Sequence, residues 1–500
     1  MIRLLLVALL ATAAHAQDAP PVAPPAAQPA DAALPAGAPT ERWKGTIALP
    51  NGKALEFSVV LIPPAQPGAE PTGTMSIPMQ GVIDAPLTSV VMTAGTLAFT
   101  LAPANLPPAS RPSFTALRAA ADADNAKGSM TQSGFDVPIT LSRLKEGETA
   151  GPLRPQNPKP PFPYDQRDVA YSNPADYTTL AGTLTYPKSG APFPAVILIT
   201  GSGPQDRDET LFAHKPFLVI ADHLTRTGFA VLRVDDRGVG GSTSPKKGAE
   251  TTDDFATDVL AGVDFLKKQP DIDPKRIALG GHSEGGLLAP MVAAQSSDVA
   301  AIVLLAGPGV SGLEILREQI PAGARASGAS EDDAIKARDR SIALFDAVIR
   351  NADDETLQRL ARDIVVLQAG PAAENPGAQA QVDSSAKALK AQFSSPWFRR
   401  FLVLDPADNL RKVKVPVLAL NGALDKQVIP EQNIPRIESA LKDAGNPDAT
   451  TRVLPGLNHL FQTATTGSGA EYATIEETFA PAALDAMTQW LAARLLKPAK

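Results

Sequence analysis

The stretch Gly280-Gly281-His282-Ser283-Glu284-Gly285-Gly286 constrains this chain more than any other. An apolar run, Arg276-Ile277-Ala278-Leu279, precedes it and reads as a short buried strand; Leu287 to Ala294 follows and reads as a helix. A tight turn between the two, with glycines flanking a serine, is the G-x-S-x-G arrangement that holds a serine in a strained conformation at the carboxyl edge of a sheet. Small residues at Gly281 and Gly285 let strand and helix approach closely. Glu284 is expected to turn its backbone N–H toward charge developing beside Ser283, helped by the helix N-terminus. A lone G-x-S-x-G is a weak signal, since chance supplies one in roughly 10–20% of chains of this size and glycine content. Its weight comes from the flanking elements and from what lies downstream.

The segment from about Asp165 to the C-terminus alternates strands with helices, which implies a mostly parallel sheet. Pro194 to Thr200 is a continuous apolar run, as expected for a strand covered on both faces. It ends in Gly201-Ser202-Gly203-Pro204-Gln205-Asp206-Arg207-Asp208, a loop placed to offer a second backbone N–H beside Ser283. By position that donor is Ser202, with Gly203 next; Gln205, Asp206 and Arg207 read as bracing. The strand Phe229–Val234 runs into Asp235-Asp236-Arg237-Gly238-Val239-Gly240-Gly241-Ser242. Its glycines lack dinucleotide-binding spacing, so a structural loop buttressed by Asp236 or Arg237 is the better reading. Helices are expected over Phe212–Gly228 and Thr251–Lys268, and another buried strand over Ala300–Ala306. The alternation then stops. Residues 309 to about 400 are helical and polar, and read as a cap inserted between two strands; Trp397, Phe398 and Phe401 at its end are open to lining a pocket or to plain packing.

The sheet resumes at Val415–Leu420 and ends at Asn421-Gly422-Ala423-Leu424-Asp425; Thr451–Leu454 is the last strand, followed by Pro455-Gly456-Leu457-Asn458-His459. Asp425 and His459 therefore fall just past strand ends, on the edge that carries Ser283. A serine hydroxyl is inert until a base takes its proton, histidine titrates in the right range, and a carboxylate fixes the histidine tautomer. Of five histidines, His15 lies in the leader, His282 inside the turn pointing away from the neighbouring hydroxyl, and His214 and His223 in an upstream helical region. His459 is left as the base and Asp425 as its partner, ahead of Asp405 and Glu431, which sit on no strand-end turn.

Upstream, Met1 to Ala16 reads as a secretory signal peptide: Arg3, an apolar Leu4–Ala13, and Ala14-His15-Ala16 as the cleavage site, with the mature chain expected from Gln17 and destined for a periplasm or the outside. Residues 17–40 form an Ala/Pro-rich linker. Residues 41–148 carry short alternating runs separated by turn residues, including Asn51-Gly52, and suggest a small sandwich or open barrel. A Pro-rich linker over 149–164 marks the expected boundary before the 165–500 domain. The chain has no cysteine, which excludes disulfides, thiolate metal sites, cysteine nucleophiles and a lipid-anchored start at the cleavage site. Its net charge of −7 with no dense basic stripe argues against nucleic acid and anionic membranes as partners. No metal or organic cofactor is expected, and oligomeric state is not legible.

Five motifs together carry a family resemblance: residues 201–208, Asp236-Arg237-Gly238-Val239-Gly240, Gly281-His282-Ser283-Glu284-Gly285-Gly286, Asn421-Gly422-Ala423-Leu424-Asp425 and Pro455-Gly456-Leu457-Asn458-His459-Leu460-Phe461. From about Leu180 onward the chain resembles a family of bacterial α/β-hydrolase carboxylesterases related to the prolyl-oligopeptidase group. The resemblance implies an α/β-hydrolase fold, a mostly parallel sheet with flanking helices and a helical cap, preceded by a small all-β domain. It implies hydrolysis of short acyl esters through Ser283, His459 and Asp425, with the N–H groups of Glu284 and Ser202 as oxyanion donors. A serine peptidase or amidase on the same fold is the alternative; a non-catalytic binding protein retaining the fold is a third.

Overall fold

The computed structural model describes residues 38–496 apart from 49–53, 67, 78–81, 103–110, 133–134, 146–147 and 149–152. The signal peptide, residues 17–37 of the Ala/Pro linker and the Asn51-Gly52 turn lie outside the described residues. The chain forms two compact units that divide at about Leu153.

The first unit is an antiparallel barrel of β1 (Glu41–Ala48), β2 (Ala54–Ile62), β3 (Thr72–Ile77), β4 (Val82–Met92), β5 (Thr96–Leu101), β6 (Ser113–Arg118), β7 (Asn125–Gln132) and β8 (Phe135–Arg143). Strict alternation, as in β1 and β6, turns every second residue inward and fills the interior with Trp43, Phe57, Leu61, Phe99 and Phe114. Phe114 packs on Phe57 and Phe99 with ring centroids 5.5 and 5.0 Å apart. At one end Arg118 donates to both oxygens of the buried Glu41, which also accepts from Trp43 Nε1. The barrel is closed rather than open or a sandwich, because β8 returns to β1 with Trp43 opposite Arg143 and Ile47 opposite Ile139. Full closure removes both sheet edges.

The second unit contains β9 (Asp165–Ser172), β10 (Thr179–Tyr186), β11 (Phe193–Ile199), α1 (Pro216–Thr227), β12 (Ala230–Val234), α2 (Thr252–Lys267), β13 (Ile272–His282), α3 (Glu284–Ala293) and β14 (Val299–Leu305). Helices α4 (Gly312–Ala326), α5 (Glu331–Ile349), α6 (Asp354–Ala369), α7 (Gln379–Phe393), α8 (Pro396–Val403) and α9 (Ala407–Leu410) come before β15 (Val417–Gly422). The unit closes with α10 (Pro430–Asp443), β16 (Ala449–Leu454) and α11 (Pro481–Leu495). The strands lie in the order β9-β10-β12-β11-β13-β14-β15-β16. All pairs from β12 to β16 are parallel; β10 is antiparallel to both β9 and β12. This is the α/β-hydrolase fold.

The sheet is covered on both faces, and the central strand shows how. Ala195, Ile197 and Ile199 of β11 enter a core shared with α2, α3 and α10, whereas Val196 and Leu198 enter one shared with α1 and α11. Strand order reverses between β11 and β13, so the loops that leave them diverge and open a crevice at the carboxyl edge. Register brings the relevant ends together. Ile199 stands opposite Gly281, His282 opposite Leu305, Leu305 opposite Leu420, and Gly422 opposite Leu454.

Candidate active site

Ser283 sits between β13 and α3 with φ 53° and ψ −118°, a conformation that costs a non-glycine residue of order 1–3 kcal/mol. The surrounding backbone holds it: Ser283 N–H donates to Leu305 O at 2.9 Å, and Gly286 N–H donates to Ser283 O at 2.8 Å. The flanking glycines are steric necessities. A Cβ at Gly281 would lie 2.0 Å from the Gly285 carbonyl oxygen, and one at Gly285 would lie 2.1 Å from the Ile199 carbonyl oxygen. Both obstacles are backbone, which cannot swing aside. Gly281→Ala is therefore expected to destabilise the second unit by about 3 kcal/mol or more, read as a lowered urea midpoint, together with loss of activity.

His459 and Asp425 meet just past the ends of β16 and β15. Asp425 Oδ2 accepts from His459 Nδ1 at 2.8 Å, and both side chains are buried. Asp425 Oδ1 accepts the backbone N–H groups of Gln427 and Val428 at 2.8 and 2.9 Å, and Asn421 Nδ2 approaches Oδ2 at 3.3 Å. The carboxylate is thereby fixed, and it places the neutral imidazole proton on Nδ1. His459 Nε2 is buried and makes no hydrogen bond, so its lone pair is the unused basic group of the site. Burial holds His459 below the ordinary histidine value, with the Asp425 carboxylate pulling the other way. Ser283 belongs to the same cluster through its neighbours. His282 Nε2 lies 3.0 Å from the His459 carbonyl oxygen, and a Cβ at Gly201 would lie 3.3 Å from Ser283 Cβ.

The loop after β11 is braced from below. Asp236, half-buried, accepts from Thr200 Oγ1 at 2.6 Å and from Gln205 N–H at 2.9 Å. Burial pushes its carboxyl well above the usual range, against those hydrogen bonds. Arg207 closes on Asp235 through Nε and Nη2 at 3.0 and 2.8 Å. Arg237 turns instead toward Asp258 of α2 and Asp176, so it anchors the β12 loop to the layer behind the sheet. Gly201 N–H donates to Glu209 Oε1 at 2.8 Å, so that N–H is spent within the loop. Glu284 opens α3, so its backbone N–H stands at the helix N-terminus, ahead of any carbonyl of the helix that could accept it.

Three features were not read in the sequence. The Glu284 carboxyl is buried, is pushed up by that burial, and accepts from Trp397 Nε1 at 2.8 Å and Thr252 Oγ1 at 3.0 Å. Trp397, stacked on Phe401, thus ties α8 to the start of α3, and Arg400 adds a bidentate pair with Asp253 of α2. His214 lies before α1 rather than in it, because the helix starts at Pro216, whose missing N–H suits a first turn. It packs against Thr478, Tyr472 and Gln462, and burial pushes it down to about 4. Glu209 stands one residue beyond the loop motif and bonds His282 at 2.9 Å. An acid directly after a glycine-rich loop, with a histidine inside the serine turn, was the available signal.

Residues 215–463 match the family described as serine aminopeptidase, S33. Esterase EstD of Thermotoga maritima is 31% identical over 191 residues, covering 36% of this chain and 43% of that one; the chain thus matches less than half the length of this curated relative. Among solved structures, the α/β hydrolase GrgF from Penicillium sp. sh18 is similar with TM-score 0.41 and 18% identity, over 67% of this chain and all of that one. The Pyrococcus furiosus esterase Pf2001 is similar with TM-score 0.41 and 17% identity, over 67% of this chain and 92% of that one. Among the described residues, no helix is long and apolar enough to cross a membrane.

Proposed function

We propose, for a chain whose C-terminal unit belongs to the α/β-hydrolases, that it is an exported serine carboxylesterase acting on short acyl esters. The observation that carries the reading is the buried His459–Asp425 pair with its unused Nε2, at the sheet edge where a strained Ser283 leaves β13. Ser283 Oγ attacks the ester carbonyl while His459 Nε2 takes its proton. Charge on the carbonyl oxygen is met by the N–H of Glu284 and of Ser202. His459 then returns the proton to the leaving alcohol, and a water activated by the same histidine hydrolyses the acyl-enzyme. Asp425 keeps the imidazole oriented and stabilises its charged form. The residues cited need no metal or organic cofactor for this sequence of steps. Export rests on the leader-like residues 1–16; N-terminal sequencing of the exported protein is expected to begin at Gln17.

Trp397 pins α8 to the start of α3, the residue after Ser283, and on this reading that helix limits the substrate to a short acyl group. Hydrolysis of p-nitrophenyl esters is expected to fall steeply from acetate and butyrate to long chains. With a base held below the ordinary histidine value, kcat/KM is expected to be on its plateau at pH 7 and to fall only at lower pH, as His459 takes up a proton. Equal rates for long and short esters would remove the short-acyl assignment, and no hydrolysis of any ester would remove the esterase reading. The match to a family described as serine aminopeptidase keeps amide hydrolysis as a second reading, and turnover of matched ester and amide substrates separates the two.

A further inference from the structure

Glu209 lies on the loop after β11 with φ 53°, a left-handed backbone that an L-residue adopts only when its surroundings enforce it. Its buried carboxylate accepts Gly201 N–H at 2.8 Å and meets His282 Nδ1 at 2.9 Å, both on Oε1. The other ring nitrogen of His282, Nε2, lies 3.0 Å from the carbonyl oxygen of His459. Both nitrogens of His282 therefore face acceptors. A neutral imidazole carries one N–H and can satisfy only one of them; an imidazolium satisfies both. Burial pulls His282 toward the neutral form, but the charge and hydrogen bond of Glu209 and the His459 carbonyl outweigh it.

The geometry points to Glu209 and His282 as a buried ion pair that positions both the oxyanion loop and the base, with His282 held as an imidazolium beside His459. The inference rests on the reading of Ser283 and His459 as nucleophile and base. Neither member touches the reacting atoms: Glu209 acts through Gly201, and His282 through the backbone of His459. The pair joins three segments that must stay in register for the reaction, namely the loop after β11, the residue before the nucleophile and the loop after β16. The charge has its own consequence. The rings of His282 and His459 are 4.9 Å apart between centroids, so a fixed positive charge on His282 disfavours a second one on His459 and keeps the base unprotonated. The ionisable groups facing His282 are Glu209, from the β11 loop, His459, from the β16 loop, and Asp425, from the β15 turn; those facing His459 are Asp425 and His282. Asp236 approaches Glu209 from the β12 loop.

Two measurements test this. In wild-type protein labelled with 15N-histidine, NMR at pH 7 is expected to show both ring nitrogens of His282 protonated, and Glu209→Gln is expected to remove one of those protons. A single protonated nitrogen on wild-type His282 at pH 7 overturns the ion pair, whether or not the protein hydrolyses esters. The second is the pH profile of Glu209→Gln with p-nitrophenyl acetate. The amide still offers an oxygen to Gly201 but carries no charge. We expect kcat to fall by about tenfold or more with KM little changed, the size of a lost hydrogen bond to a charged group. The acid limb of kcat/KM is expected to move to higher pH, because His459 loses its cationic neighbour. A lowered melting temperature with an unmoved acid limb overturns the charge effect and leaves a structural contact. Absence of esterase activity in the wild type is the failure of the functional reading instead, and the NMR arm still decides the pair. It also decides if the variant does not fold.

Discussion

Replacing Ser283 by alanine is expected to lower kcat/KM for a short p-nitrophenyl ester by about 10⁴–10⁶-fold, down to what binding and the oxyanion donors supply alone. The size follows from the role: without Oγ there is no acyl-enzyme, and the remaining route is direct attack by water. The variant is also expected to fold normally. The bonds that hold residue 283 in its strained conformation are backbone ones, from its N–H to Leu305 O and to its carbonyl from Gly286 N–H, and alanine keeps both. A circular dichroism melt that superimposes on the wild type, beside a vanished rate, is the expected pair of results. A folded variant with undiminished rate would remove Ser283 from the mechanism.

Asp425→Asn is expected to cost about 10⁴-fold in kcat, as the loss of the carboxylate in a serine protease triad does, while leaving the fold in place. Here the direction of the amide is dictated by the local backbone. Two N–H groups, from Gln427 and Val428, point at the Oδ1 position and will hold the amide oxygen there. The amide nitrogen must then take the Oδ2 position, 2.8 Å from His459 Nδ1 and 3.3 Å from Asn421 Nδ2. A donor facing Nδ1 forces the imidazole proton onto Nε2, the atom that has to accept from Ser283. The base is thus blocked by its tautomer rather than removed. Steady-state kinetics with p-nitrophenyl acetate checks the rate. Histidine NMR at neutral pH checks the cause, with the ring proton of His459 expected to move from Nδ1 to Nε2. A rate within tenfold of wild type would mean that Asp425 does not set the tautomer.

What could be read from the sequence follows the range of the interactions involved. The Ser283 turn is local: two glycines, an apolar run and a helix within about 20 residues identify it, and the structure explains each glycine by a backbone atom about 2 Å from where its Cβ would be. The places of Asp425 and His459 were readable because a parallel sheet puts all its strand ends on one edge, so the residue just past an end is near every other such residue. Contacts that depend on which distant loops meet left no local mark. His282 and Glu209 are 73 residues apart, Glu284 and Trp397 are 113 apart, and barrel closure joins Trp43 to Arg143. The reading of His282 as turned away from the serine hydroxyl missed what it turns toward. Strand β7, Asn125–Gln132, carries mostly polar residues with only Ala126 and Met130 among its hydrophobics well buried, so its alternation was too faint to register.

The most direct test of the account is covalent capture of the nucleophile. The folded protein would be incubated with one equivalent of a fluorophosphonate, and its intact mass and tryptic peptides measured beside those of Ser283→Ala. The account predicts a single adduct on Ser283 that forms at pH 7, slows as His459 is protonated at lower pH, and is absent from the variant. No adduct on the folded wild type, or an adduct on another residue that persists in Ser283→Ala, would contradict it.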